Sequence, residues 1–164
     1  MTERERKAMI RVDQAGEYGA TRIYAGQLAV MGDRAPHSAE VLRMAQQEQD
    51  HRARFDAMMA QRGVRPTLLQ PLWSVAGFAL GAATALIGPE AAMACTAAIE
   101  TEIDRHYTEQ LDELGDDDPE HIRASLADCH LRRDVRTQLQ HRQSFAHGAR
   151  HRDRIRGGRR DRGD

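Results

Sequence analysis

An all-α fold is predicted for this chain of 164 residues, and three observations support the prediction. No segment shows the alternating pattern and β-branched enrichment of a strand. Through most of residues 1–120, apolar residues return at the spacing of an amphipathic helix. Gly and Pro cluster at a few places between these stretches, where they separate one helix from the next. The length suits one domain with a sizeable core.

The charge of the chain is divided unevenly along its length. The formal net charge is −1, but residues 1–120 carry a net −8, and residues 121–164, with twelve Arg, carry +7. The nearly neutral total argues against a nucleic-acid-binding protein. Cys95 and Cys129 have no CxxC spacing, and no secretory hydrophobic region precedes them. We therefore expect a reduced, intracellular protein without a disulfide framework or a cleaved export signal.

The first two helices form a predicted hairpin. A capping-box pattern at Thr2 opens a helix over roughly residues 3–31, which no Pro interrupts. A second helical run, rich in Ala, Glu, Gln and Met, begins at Ser38 and ends where Gly63 precedes Pro66. The short connection between the two runs favours antiparallel neighbours.

The apolar segment 72–87 admits two structural interpretations. It lies in a stretch with no charged residue between Arg65 and Glu90, and it is rich in Gly and Ala. It is shorter than the roughly 20 apolar residues that span a bilayer. A buried bundle helix and an apolar surface that dips into one leaflet both remain open. A last long helix is predicted over residues 89–114, before an acidic turn.

Three of the predicted helices carry a carboxylate on their apolar face. A seven-residue repeat places Glu17 on the first helix, Glu48 and His51 on the second, and Glu100 on the helix over 89–114. Burial of an ionised carboxylate costs several kcal/mol unless it is paired or metal-bound, and a shared cation removes that cost. The three stripes comprise Ile10, Gln14, Glu17, Thr21, Tyr24, Leu28 and Met31; Val41, Met44, Glu48, His51, Phe55 and Met58; and Met93, Thr96, Glu100, Ile103, Tyr107, Leu111 and Leu114.

This set of inward side chains is typical of a metal site. Carboxylate oxygen and imidazole nitrogen are ligands that suit iron or manganese. Bundles that bind two such ions use a Glu from each of two helices and a Glu-x-x-His from each of the other two. The residues Glu17, Glu48, His51 and Glu100 supply four of these six ligands. A single Glu-x-x-His is usually a solvated surface pair, but the agreement of three stripes in register favours the metal site.

Five segments of the chain resemble the demethoxyubiquinone hydroxylases of ubiquinone biosynthesis. They are RVDQAGEYGATRIYAGQ at 11–27, EQDH at 48–51, RPT at 65–67, PLWSVAGFALGA at 71–82 and MACT at 93–96. The resemblance covers roughly residues 8–125. It implies a ferritin-like four-helix bundle in which two iron ions activate O₂ and the benzoquinone ring of a demethoxyubiquinone is hydroxylated. It also implies reduced nicotinamide as the ultimate electron donor.

The resemblance implies a role for each candidate ligand. Glu17 is the carboxylate of the first helix, Glu48 bridges the two irons, His51 is the imidazole on the same iron, and Glu100 mirrors Glu17. Tyr107 lies in a stretch that resembles a family segment near the site, and a core tyrosine with a satisfied hydroxyl is the alternative. The neighbouring residue His106 lies off the stripe and is expected at the surface.

The resemblance also implies where the protein works. Family members lie peripherally on the membrane that holds their isoprenoid substrate, which favours the leaflet-dipping interpretation of segment 72–87. We therefore expect the cytoplasmic face of a bacterial inner membrane, or the mitochondrial inner membrane equivalent. The expected partners are demethoxyubiquinone, the membrane surface and other ubiquinone biosynthesis proteins. No nucleic acid is expected, and a homo-oligomer is left open.

The C-terminal segment departs from the family pattern. The family pattern requires a fourth bundle helix, after residue 120, that brings a second Glu-x-x-His. No Glu follows Glu120, so this helix region is expected to be degraded or disordered and the second iron site to be incomplete. We divide the chain into an incomplete di-iron bundle domain at 1–130 and an Arg-rich tail at 131–164. Residues 148–164 are expected to be disordered because the apolar period fails there.

Two explanations of this tail remain open. One is a divergent member with an Arg-rich arm that binds anionic lipid or nucleic acid by charge. The other is a reading-frame shift near residue 128, favoured by seven Arg within 150–164 and by the absence of Lys and Glu from residue 121 onward. The expected function is a demethoxyubiquinone hydroxylase whose activity is impaired. The alternatives are a catalytically dead scaffold or quinone-binding protein of the biosynthetic assembly, and an iron or manganese store, which the apolar segment disfavours.

Overall fold

The computed structural model describes residues 1–114 together with Ile122, Ala124 and Leu126. The four helices of this part are α1 (Glu3–Met31), α2 (Ser38–Arg62), α3 (Gln70–Ile87) and α4 (Pro89–Leu114), and it contains no strand. The all-α prediction is confirmed, and the predicted bounds of α1 and α4 coincide with the observed ones. Three predictions concern residues outside the described ones: the Arg-rich tail, the absence of a second Glu-x-x-His, and the break near residue 128.

Local sequence signals explain the ends of α1 and α2. The Glu5 amide donates to the Thr2 hydroxyl, and the Thr2 amide donates to the Glu5 carboxylate, which completes the capping box. Gly32 follows α1 with a φ of 63°, and Gly63 follows α2 with a φ of 61°. Glycine adopts positive φ with little steric cost, so these residues end the helices.

Helix α1 is the centre of the bundle, because α2, α3 and α4 all pack against it. Gln14 on α1 bonds to Asp56 on α2, and Glu17 lies beside His51, so positions that rise along α1 fall along α2 and the two helices are antiparallel. Two apolar clusters lie at the two ends of the α1 and α2 pair. One contains Met9, Ile10, Phe55, Met58, Met59, Val64, Tyr107, Leu114, Ile122 and Leu126, and the other contains Ala20, Tyr24, Val41, Met44 and Ala45. The predicted inward carboxylates fall between these clusters along each helix.

Helix α3 lies directly on the backbone of α1. A Cβ atom at Gly81 would stand 2.0 Å from the Ile23 carbonyl oxygen, and one at Gly26 would stand 2.1 Å from the Phe78 carbonyl oxygen. Only glycine permits this approach. The buried residues of α3 are Gly77, Gly81 and Ala85. The rest of the helix is half-buried or exposed, so in the part of the chain that the structure describes α3 lies on the surface of the bundle, in contrast to the buried-helix interpretation of segment 72–87.

Candidate metal centre

Glu17, Glu48 and His51 lie together in the interior between α1 and α2. One ligand atom of each lies within 4.8 Å of those of the other two. The Nδ1 atom of His51 is 3.8 Å from Oε2 of Glu17 and 3.5 Å from Oε2 of Glu48. All three side chains are buried. The structure therefore brings together three of the four residues that the sequence singled out.

The chemistry of this group fits a bound metal ion. Both ring nitrogens of His51 are buried, and neither has a hydrogen-bond partner among the described residues. An unsatisfied buried nitrogen is costly, and two carboxylates in the same pocket add a desolvation penalty. A cation coordinated by the imidazole and the carboxylates of Glu17 and Glu48 would remove both costs. Oxygen and imidazole nitrogen donors in this combination suit iron or manganese.

Glu100, the fourth predicted ligand, is buried on α4 but is not part of this close group of three. Its carboxylate accepts a hydrogen bond from the hydroxyl of Tyr24 on α1. The hydroxyl of Tyr107 on α4 donates in the same way to the carboxylate of Glu17. Tyr107 is thus a core tyrosine whose hydroxyl is satisfied, one of the two interpretations that the sequence left open.

The role of Tyr24 was missed at the sequence level, although a signal for it exists. Tyr24 follows Glu17 by seven residues, and Tyr107 follows Glu100 by the same interval. On antiparallel helices, this repeat places each tyrosine opposite the glutamate of the other helix. The pairing becomes visible only when α1 and α4 are known to be antiparallel neighbours.

Further polar bonds continue this α1 and α4 register at both ends. Beyond Tyr24, the side-chain Nε2 atom of Gln27 donates to the carbonyl oxygen of Ala92, 2.9 Å away. Before Glu17, the side-chain Nε2 atom of Gln110 donates to Oδ1 of Asp13, 2.8 Å away. These bonds satisfy buried polar groups and hold the two helices at one relative height.

Asp13 forms a second buried polar cluster, one helical turn before Glu17. Its Oδ1 atom lies 3.4 Å from Nε2 of His106, and burial raises the pKa of its carboxyl group. The hydrogen bond to the carboxylate of Asp13 raises the pKa of His106. His106 is partly exposed, close to the expectation of a surface residue, but it reaches a buried partner. Asp13 was missed because it lies outside the seven-residue stripe of α1.

The sequence profile of the ubiquinone biosynthesis protein COQ7 family matches residues 4–153. This range extends past residue 128, near which the sequence predicts a break in the family pattern. The chain is 54% identical over 142 residues to the 3-demethoxyubiquinol 3-hydroxylase of Rhodospirillum rubrum, which covers 86% of this chain and 64% of that protein.

Two eukaryotic proteins show similar identity over a shorter range. The chain is 55% identical over 112 residues to the human NADPH-dependent 3-demethoxyubiquinone 3-hydroxylase, mitochondrial, which covers 68% of this chain and 51% of that protein. It is 55% identical over 107 residues to the 5-demethoxyubiquinone hydroxylase, mitochondrial, of Saccharomyces cerevisiae, covering 65% of this chain and 46% of that protein. The chain thus spans about half to two thirds of the length of these relatives. The profile match and these identities show that the chain belongs to the COQ7 family of ubiquinone biosynthesis proteins.

Proposed function

We propose that this chain takes part in the O₂-dependent hydroxylation of the benzoquinone ring of a demethoxyubiquinone. The observation that carries the proposal is the position of His51 between the carboxylates of Glu17 and Glu48 in the bundle interior. The names of the bacterial and human relatives support the substrate class. The human relative is named as NADPH-dependent, which supports reduced nicotinamide as the electron donor.

In this proposal the side chains of Glu17, Glu48, His51 and Glu100 would hold iron. When bound, iron supplies the activation of O₂. The chain itself positions the ligands, because the Tyr24 and Tyr107 hydroxyls orient two of the carboxylates. The two apolar clusters exclude water on both sides of the site. Four ligands do not complete two iron sites, so we expect fewer than two tightly held irons per chain.

Helix α3 provides the proposed contact with the membrane. It is the one helix among the described residues that is long and apolar enough to cross a bilayer, and only 17% of it is buried. Its small buried face on α1 favours a helix that lies in one leaflet, where an isoprenoid tail reaches the bundle from lipid. The mitochondrial labels of the human and yeast relatives support an inner-membrane location, or its bacterial equivalent.

Isotope labelling tests the proposed reaction. The chain, loaded with Fe²⁺, is incubated with a short-tail demethoxyubiquinone, reduced nicotinamide and a reductase, under ¹⁸O₂. Mass spectrometry of the quinone reports on hydroxylation. After gel filtration, analysis of the protein fraction for metal and for quinone reports on bound iron and on quinone binding. Product carrying one ¹⁸O is expected, at a rate limited by the incomplete second site. Glu48→Gln should remove both the product and most of the iron, while the exposed neighbour variant Asp50→Asn should change neither.

The same experiment separates the proposal from its alternatives. Quinone binding and bound iron without any labelled product would contradict hydroxylation and favour the scaffold. Bound iron without quinone binding would favour a simple metal store. A Glu48→Gln variant that retains the iron of the parent chain would contradict the assignment of the metal ligands.

A matched pair of substitutions tests the membrane contact. Leu80 on α3 and Leu42 on α2 are 47% and 48% exposed, so a charged side chain meets a similar degree of burial at either position in water. Leu80→Asp should reduce flotation with liposomes, because its carboxylate must be dehydrated to enter the leaflet. Leu42→Asp should float like the parent chain. Equal flotation of the two variants would contradict the role of α3.

A further inference from the structure

We propose that the N-terminal end of α3 binds the headgroups of anionic phospholipids through Arg11, Arg22 and Arg65. This inference rests on the proposed membrane contact of α3 and adds the lipid class that the contact selects. The apolar face alone selects no class of lipid, since acyl chains are alike in charge. The arginines at its border provide the selection.

Two of these arginines meet where the chain enters α3. The Nε atom of Arg11 donates to the carbonyl oxygen of Arg65 at 2.8 Å, and both residues are exposed. Leu68, which is 97% exposed, follows Arg65 by three residues, and the exposed Leu69 is next to it. Positive charge and exposed apolar side chains thus occur side by side at this end of the helix. A phospholipid surface offers both the anionic headgroup and the acyl region that this arrangement matches.

Arg22 extends the positive charge along the edge of α3. Its guanidinium carbon lies 5.3 Å from the centre of the Phe78 ring, and its Nε atom is 3.5 Å from the Ser74 carbonyl oxygen. The side chain therefore lies against α3 and next to its exposed face. Trp73, one residue before Ser74, is partly exposed, and an indole with one polar edge favours the headgroup level of a membrane.

These three arginines have no carboxylate partner among the described residues. Two other arginines on the described surface are paired: Nε of Arg52 lies 3.4 Å from Oδ2 of Asp56, and Arg105 bonds to Glu102. The stretch from Arg65 to Glu90 has no charge of its own, and the next charged residue beyond α3 is acidic. Arg11, Arg22 and Arg65 therefore place positive charge beside the N-terminal half of α3, next to its exposed apolar face.

Flotation with two kinds of vesicle tests the inference. One kind contains phosphatidylcholine alone, and in the other part of it is replaced by phosphatidylglycerol. A basic residue near an anionic surface strengthens binding by roughly fivefold. We expect Arg65→Gln to lower binding to the anionic vesicles by about this factor and to leave binding to the neutral ones unchanged. In the double variant Arg11→Gln with Arg65→Gln, binding to the anionic vesicles should fall by about the square of that factor. Added salt should erase the differences in vesicle binding between the variants and the parent chain.

Arg43→Gln is the matched control, because Arg43 is exposed on α2 and its loss changes the net charge equally. The Arg-rich C-terminal residues are present in both variants, so the difference between Arg65→Gln and Arg43→Gln reports on α3. Equal loss in these two variants, or equal binding of the parent chain to both vesicles, would overturn the inference alone. Absence of flotation with either vesicle would instead contradict the membrane contact itself. If the chain bound no vesicles but formed a dimer that Leu80→Asp abolished, the exposed face of α3 would be assigned to a second copy of the chain. That result would overturn both the lipid inference and the membrane contact.

Discussion

Glu17 on α1 accepts a hydrogen bond from the hydroxyl of Tyr107 on α4, and the reverse pair, Glu100 with Tyr24, joins the same two helices. Each tyrosine lies about two helical turns after the glutamate of its own helix. Because α1 and α4 are antiparallel, the two bonds are equivalent. They hold the carboxylates of Glu17 and Glu100 in one orientation through protein contacts, before any metal binds. Such preorganisation lowers the cost of assembling a metal site.

Removal of either tyrosine hydroxyl should weaken both the fold and metal binding at the proposed site. Tyr107→Phe and Tyr24→Phe each take one hydrogen bond from a buried carboxylate, which costs about 1–3 kcal/mol of unfolding free energy. Loss of a partner that orients a ligand should also reduce metal affinity by about 10- to 100-fold. Urea denaturation and metal titration measure the two effects.

Tyr18→Phe is the control for both tyrosine variants. Tyr18 is half-buried, and the Arg52 guanidinium lies 4.8 Å from the centre of its ring, a contact that phenylalanine keeps. Its substitution should change stability and metal affinity little. If Tyr18→Phe and Tyr107→Phe behaved alike, the hydrogen bond to Glu17 would have no special role.

Glu48→Gln should change stability in opposite directions with and without metal. Without metal, the variant removes a buried charge close to the carboxylate of Glu17, so the unfolding free energy should rise by about 1–2 kcal/mol. With Fe²⁺ or Mn²⁺, the parent chain should be the more stable protein, because ligand binding stabilises the folded state and the variant binds metal weakly. Denaturation with a chelator and with saturating metal measures both values. A lower stability of the variant in both conditions would indicate a purely structural role for Glu48.

The close contact between α1 and α3 predicts a large difference between two Gly→Ala substitutions. At Gly81 the new Cβ would lie 2.0 Å from the Ile23 carbonyl oxygen, so the backbones must separate, at a cost of about 1–3 kcal/mol. At Gly16, no atom lies within 4 Å of the new Cβ, and the helix gains about 0.8–1 kcal/mol in propensity. Urea denaturation of both variants checks the sign of each change. Similar values would show that α3 does not need the contact.

The contact between His106 and Asp13 predicts a dependence of stability on pH. The folded-state pKa of His106 is raised, chiefly by its hydrogen bond with Asp13. The stabilisation that the His106–Asp13 contact contributes to the fold should therefore be fully present below the unfolded-state pKa of histidine, about 6.5, and should be lost as the pH rises through the folded-state pKa of His106. The difference in unfolding free energy between the parent chain and His106→Gln should be larger at acidic pH than at alkaline pH.

A double-variant cycle checks the partner in this pH effect. In an Asp13→Asn background, the carboxylate that favours protonated His106 is absent. The excess effect of His106→Gln at acidic pH should then disappear. A pH dependence that persists in this background would assign it to another group.

The sequence by itself determined the helices and the inward direction of the candidate ligands. The capping box at Thr2 and the glycines after α1 and α2 act through neighbouring backbone groups, so their effect is readable without the fold. The helical repeat likewise places Glu17, Glu48 and His51 on buried faces, because side-chain direction in a helix depends on position alone.

Only the tertiary structure decided which side chains from different helices meet. Tyr24 and Glu100 are 76 residues apart, and their bond depends on the relative direction and height of α1 and α4, which no local pattern specifies. The position of α3 was open for the same reason, since its apolar composition suits either a core or a lipid surface. Among the described residues, α3 meets α1 through Gly77, Gly81 and Ala85, and its larger side chains stay exposed because only this small face reaches the backbone of α1.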